Sequence, residues 1–241
     1  MPRPRALAFD IFGTVVDWRS GVAAHVRDFL AASLPGTDAH AFADDWRRLY
    51  QPAMEACRNG SRPFTKLDQL HLEMLTELLR RKGLDPLPDV ATLHALSHAW
   101  RRLPAWPDVP EGLAALRRLM PVVTLSNANV ALMVAMNRFN GGLAWDAILG
   151  AEFSQHYKPE PQAYLRTAEA LDLQPGELCL VAAHHSDLAA ARACGLQAAY
   201  VDRPMEYGGA TAPDAAMAQR WEFHATSLVD LAAQLSARDA G

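Results

Sequence analysis

The chain has 241 residues, half of them hydrophobic and 21% charged, and its 27 acidic against 23 basic side chains give a formal net charge of −4. That length suits one large domain or a domain with a sizeable insert, and the apolar share can fill a core without staples. The acidic balance leaves no general footprint for nucleic acid and no apolar run approaches spanning length, so neither nucleic acid nor a membrane is expected as a partner. Three cysteines, Cys57, Cys179 and Cys194, are odd in number and lack CxxC spacing, which argues against a disulfide framework or a zinc site. Cys179 lies in an apolar run and reads as a buried structural thiol. Met-Pro-Arg-Pro-Arg at the N-terminus has no apolar signal core behind it, and a cytoplasmic protein is expected.

Ala6–Phe9 suits a fully buried strand that ends abruptly at Asp10, and Gly13 and Thr14 then form a tight turn. A carboxylate at the C-terminal tip of a buried parallel strand sits where open α/β sheets bind ligands, although Asp10 alone reads equally well as a helix cap. Helical spacing follows over Ser20–Ser33, then His40–Asn59 with Pro52 as a possible kink. Thr65-Lys66-Leu67-Asp68 resembles a capping box opening a third helix up to Lys82, and a fourth runs from Pro88 to about Arg102. After that the period changes. Helices over Glu111–Met120, Val130–Phe139, Pro161–Leu171, Leu188–Cys194 and Leu228–Leu235 alternate with strands near 121–125, 147–149, 178–182, 198–201 and 223–225. The alternation predicts an α/β fold, a parallel sheet core with helices on both faces, and the strandless stretch predicts an inserted all-helical cap subdomain. The division expected is residues 1–16 plus 103–241 for the core and 17–102 for the cap. Pro204–Pro213 reads as a polar loop without an assigned role.

Four strand ends carry polar groups: Asp10, Ser126-Asn127, Lys158 in the following loop, and Asp187. Tips of adjacent parallel strands lie on one sheet edge, so these groups can converge. A cation beside two carboxylates keeps both ionised, and Lys158 is the candidate. An ionised, positioned carboxylate can act as a covalent nucleophile.

Phe9-Asp10-x-x-Gly13-Thr14 with Ser126-Asn127, Lys158-Pro159 and Asp187 resembles the haloacid dehalogenase superfamily signature, over the whole chain. The resemblance implies a Rossmann-like sheet and an attacking Asp10. The superfamily's phosphatases carry a second aspartate two residues on, where this chain has Phe12, which cannot serve as a general acid. They also hold magnesium with a further acidic residue in the fourth motif, where only Asp187 is present. The remaining pattern is similar to the type II (S)-2-haloacid dehalogenases. It matches Trp46-Arg47 to that family's cap pair, Tyr164 to a tyrosine near the lysine, and Phe12 to an aromatic pocket wall. Trp46 and Phe12 read equally as cap packing, and Arg48 is an alternative to Arg47. The family's Ser-Ser-Asn-Ala-Trp-Asp is replaced by Ala182-Ala183-His184-His185-Ser186-Asp187, so His184 either takes the asparagine's place or packs.

The resemblance implies displacement of halide from a short 2-haloacid by Asp10, with inversion, and hydrolysis of the ester by water near Asp187. Lys158 and Thr14 would hold Asp10, Ser126 the substrate carboxylate, and Arg47 with Asn127 the departing halide. No metal or organic cofactor is implied, and a homodimer is common in the family. Two rivals stand beside it: a phosphatase using Asp10, and a non-catalytic small-acid-binding protein of the same fold.

Overall fold

A computed structural model describes residues 3–237 of the chain. Met1 and Pro2, which open the stretch read for a signal core, and residues 238–241, at the end of the core division, lie outside the described residues. Five parallel strands, β1 (Ala6–Phe9), β2 (Val122–Thr124), β3 (Leu178–Ala182), β4 (Gln197–Val201) and β5 (Phe223–Ala225), form one sheet in the order β2-β1-β3-β4-β5. Phe9 stands level with Thr124 on one side and Val181 on the other, so Asp10 leaves the sheet between two strand ends. The chain passes from β1 to β2 on one side and reaches β3 on the other only later, which makes the tip of β1 the switch point of the sheet.

Side chains alternate across the strands as the pleat requires. Leu7 and Phe9 join Cys179 and Val181 on one face, while Ala6 and Ala8 join Leu178 and Leu180 on the other. Helices α1 (Trp18–Ser33), α2 (Ala39–Arg48), α3 (Tyr50–Arg58), α4 (Leu67–Arg81) and α5 (Val90–Ser97) lie between β1 and β2. Their buried faces, including Val22, Phe42, Trp46, Leu70 and Leu75, belong to the same apolar cluster as Leu7 and Phe9. A 3-10 turn, His98–Arg101, and α6 (Val109–Arg117) return the chain to the sheet. Then come α7 (Val130–Phe139), α8 (Ala151–Ser154), α9 (Pro161–Glu169), α10 (His185–Ala193) and α11 (Leu228–Ala237).

The elements depart from the sequence reading in four places. The helix expected over 40–59 is two helices broken at Leu49, because Pro52 has no N–H for the Arg48 carbonyl. The capping box at Thr65 does not form. Thr65 donates to the Pro63 carbonyl, and the first turn of α4 is instead capped from a distance: Asp68 N–H donates to Asn129 Oδ1 at 3.0 Å. Residues 147–149 run beside β2 through isolated bridges rather than as a strand. Finally, α10 starts at His185, so Asp187 sits in its first turn and His184 is its N-cap.

Candidate active site

Asp10 is buried at the tip of β1, and each of its oxygens is held. Oδ1 accepts from Lys158 Nζ at 2.9 Å; Oδ2 accepts from Thr14 Oγ1 at 2.7 Å and lies 3.2 Å from His184 Nδ1. Thr14 Oγ1 in turn accepts from the Ala183 N–H at 2.9 Å, which directs the hydroxyl proton to Asp10. The turn places Thr14 four residues after Asp10, closed by the Val15 N–H to the Ile11 carbonyl.

Lys158 Nζ lies between Asp10 and Asp187, at 2.5 Å from Asp187 Oδ2. Its backbone is fixed as well: the N–H donates to Asn127 Oδ1 at 2.8 Å and the carbonyl accepts from Arg58 on α3 at 3.0 Å. Burial alone would raise the Asp10 carboxyl, but Lys158 first and His184 second outweigh it and hold Asp10 far below the usual carboxylate range. Burial likewise opposes a charged Lys158, and Asp10 with Asp187 raise it nonetheless. Both groups are therefore ionised at neutral pH.

Tyr164 gives its hydroxyl to Asp187 Oδ1 at 2.7 Å, so it fixes that carboxylate while its ring lines the cleft. Burial, then the charge of Asp187, push the phenol up and keep it a donor. Ser126 is buried, with its Oγ accepting the Ala128 N–H at 3.1 Å, and Asn127 beside it lines the cleft.

Across an open cleft of about 1220 Å³, the insert presents Arg47. Its guanidinium lies 4.1 Å from the Tyr50 ring centroid, 5.4 Å from Trp18 and 5.8 Å from Phe12. Its Nη1 is buried without a hydrogen-bond partner among the described residues. Arg48 also borders the cleft but is exposed and ion-paired to Asp45, so Arg47 is the arginine whose guanidinium packs among the aromatic rings of the cleft. Phe12 is a cleft wall, packed edge-on against Tyr50 and Trp100. Trp46 instead is cap core: fully buried, edge-on to Trp100, its indole N–H donating to the His71 carbonyl at 3.2 Å. His71 stacks on Trp100 at 4.4 Å, and burial, reinforced by Arg47, keeps its ring neutral.

Two further residues, Glu206 and Tyr50, belong to the site. Glu206, in the loop after β4, is 2% exposed and accepts from Trp18 Nε1 at 2.9 Å and faces His184 Nε2 at 3.0 Å. Nothing local marks a single glutamate in a polar turn as a site residue. Tyr50 had a signal, since a single helix over 40–59 would set it three positions after Arg47 on one face; across the break at Leu49 its ring still lies 4.1 Å from the Arg47 guanidinium. Among the described residues, no group of three or more His, Cys, Asp or Glu side chains is gathered to hold a metal ion.

A family model described as haloacid dehalogenase-like hydrolase matches residues 4–195. The chain is 29% identical over 208 residues to (S)-2-haloacid dehalogenase 1 of Pseudomonas sp. (strain CBS-3), covering 84% of this chain and 88% of that protein. The crystal structure of a defluorinating L-2-haloacid dehalogenase superposes with a TM-score of 0.92 at 47% identity, covering 97% of this chain and 95% of that one. A second L-2-haloacid dehalogenase gives 0.90 at 43% identity, covering 97% and 99%.

Proposed function

The chain belongs to the haloacid dehalogenase-like hydrolases, and from that premise we propose that it is an (S)-2-haloacid dehalogenase. It hydrolyses the carbon–halogen bond of short 2-haloacids to 2-hydroxy acids with inversion, through an ester on Asp10. One observation carries the reading: an ionised, buried carboxylate shares an aromatic-walled cleft with a guanidinium whose buried Nη1 has no hydrogen-bond partner among the described residues. A 2-haloacid needs both, a nucleophile for its α-carbon and a cation for its departing halide.

Asp10 attacks the α-carbon opposite the halogen; the carbon–oxygen bond forms as the carbon–halogen bond breaks. Arg47 and Asn127 receive the halide, and Phe12 keeps that side of the site poor in water, where fixed donors act most strongly. Ser126 with nearby backbone amides takes the substrate carboxylate. Water beside Asp187, which Tyr164 orients, then attacks the ester carbonyl of Asp10, with Lys158 and Thr14 stabilising the charge. In this reading residues 17–102 are the cap and 1–16 with 103–241 the core, no metal or organic cofactor takes part, and the protein works in the cytoplasm as a homodimer. Among the described residues no helix is long and apolar enough to cross a membrane.

Single-turnover hydrolysis in oxygen-18 water, followed by mass spectrometry of the Asp10 peptide, tests the ester. Label should enter Asp10; label confined to the product would reject the mechanism. Asp10→Asn should release no halide in a panel of chloro-, bromo- and fluoroacids of both hands. Halide release insensitive to a chelator, with no turnover of phosphate monoesters, separates this reaction from phosphoryl transfer.

A further inference from the structure

His184 is the point at which this site does something its motifs do not announce. Each ring nitrogen faces a carboxylate oxygen: Nδ1 meets Asp10 Oδ2 at 3.2 Å and Nε2 meets Glu206 Oε1 at 3.0 Å. A neutral imidazole has one N–H, so one of these contacts would set a lone pair against a carboxylate. Only an imidazolium satisfies both. Glu206 is built in place for this. Its carboxylate rests on Gly13, where a Cβ would lie 2.1 Å from Oε1, and Trp18 Nε1 donates to the same oxygen.

The two Asp10 oxygens are not equivalent. Among the described residues Oδ1 has the Lys158 ammonium alone, whereas Oδ2 has two aimed donors, Thr14 and His184. We propose that Oδ1 is the attacking oxygen and that Oδ2 sits in an oxyanion hole made by Thr14 and an imidazolium at His184, with Glu206 as the positioning residue that keeps the ring doubly protonated. This rests on the ester mechanism proposed above.

The electrons and protons balance as follows. Oδ1 bonds to the α-carbon and halide leaves, so Asp10 loses its charge while Glu206 still balances His184. Water then bonds to Cγ as its proton passes to Asp187, and the carbonyl pair moves onto Oδ2, which Thr14 and His184 stabilise. The pair returns, the Cγ–Oδ1 bond breaks, and Asp187 protonates the departing hydroxy acid. The remaining water proton leaves Asp10 to solvent. His184 neither gives nor takes a proton.

The groups around the ring agree with that state. Burial opposes its charge, but Glu206 from the loop and Asp10 from β1 raise it well above an ordinary histidine. Beyond Asp10 the Lys158–Asp187 pair from the loop before α9 and from α10 is mutually neutralised. The neighbouring His185 turns away to stack between Tyr200 and Trp221.

Nitrogen-15 NMR of the histidine rings in the wild-type protein, with His184→Asn to assign the signal, tests the charge without substrate. Both His184 nitrogens should stay protonated through pH 8; a neutral ring at pH 7 overturns the proposal. Rapid-quench kinetics test the role, with halide burst and ester decay followed separately. In Glu206→Gln the burst should survive. Ester decay at pH 9 should slow about 100-fold and recover towards wild type at pH 5.5, since one oxyanion donor is worth about that factor. Ester decay with the wild-type pH dependence would overturn the proposal. A wild-type protein giving no burst with any 2-haloacid would instead remove the underlying reaction.

Discussion

Lys158 faces two carboxylates at once, and its removal separates the effects of burial and charge. The Asp10 carboxyl is depressed in the folded protein, so its stabilisation is present above its unfolded range near 3.9 and is lost as pH falls below that. Lys158 is raised, so its share is present below about 10.4 and is lost as pH rises through the higher folded value. Between these limits the cluster is stable and charged. Lys158→Met leaves Asp187 buried without its cation and Asp10 with His184 alone, so burial is less fully opposed and the Asp10 carboxyl rises. Urea unfolding at pH 7 should show a loss of about 3–5 kcal/mol, the usual result of orphaning a buried charge. The loss should shrink at pH 5, where protonation relieves the repulsion, and the acid limb of the halide burst should move to higher pH. An unmoved acid limb would show that Lys158 does not control Asp10.

At the scale of elements, the insert is tied to the sheet at helix ends. Asn129 is the N-cap residue of α7, yet its side chain reaches the first turn of α4: Oδ1 accepts the Asp68 N–H, and Nδ2 donates to Asp68 Oδ2 at 2.8 Å. Arg101 closes the group on Asp68 with two bonds. Asn129→Ala should lower stability by about 0.5–2 kcal/mol, the value of a helix cap, seen as a lower urea midpoint with an unchanged slope. The sequence pointed to Thr65 for this task because a local box is the pattern visible at short range. A cap supplied from 61 residues away has no local signature. The break between α2 and α3 is different in kind, since Pro52 alone requires it.

At the scale of the molecule, the insert and the sheet share one apolar cluster, from Val22 and Trp46 through Phe12 to Leu7 and Phe9. Helices packed that way have no separate core to retain when the sheet melts. Thermal unfolding should therefore be a single transition, coincident by far-ultraviolet circular dichroism and tryptophan fluorescence. Two separated transitions would show that the insert folds on its own. The packing also sets the cleft, because it holds Arg47 and Tyr50 over the strand tips.

The alternation of strands and helices, the carboxylate at the end of β1 and the polar strand tips were legible in the sequence. Buried strands read as short apolar runs, and parallel strands bring their C-terminal ends to one edge whatever their separation in the chain. What stood open there was decided by side-chain direction. Arg47 rather than Arg48 turns inward because it packs on Tyr50, and Trp46 is core because its indole meets the His71 carbonyl. Tertiary structure alone joined Glu206 to His184. They stand 22 positions apart in sequence, and only the loop folding back over Gly13 brings a carboxylate within 3.0 Å of the ring.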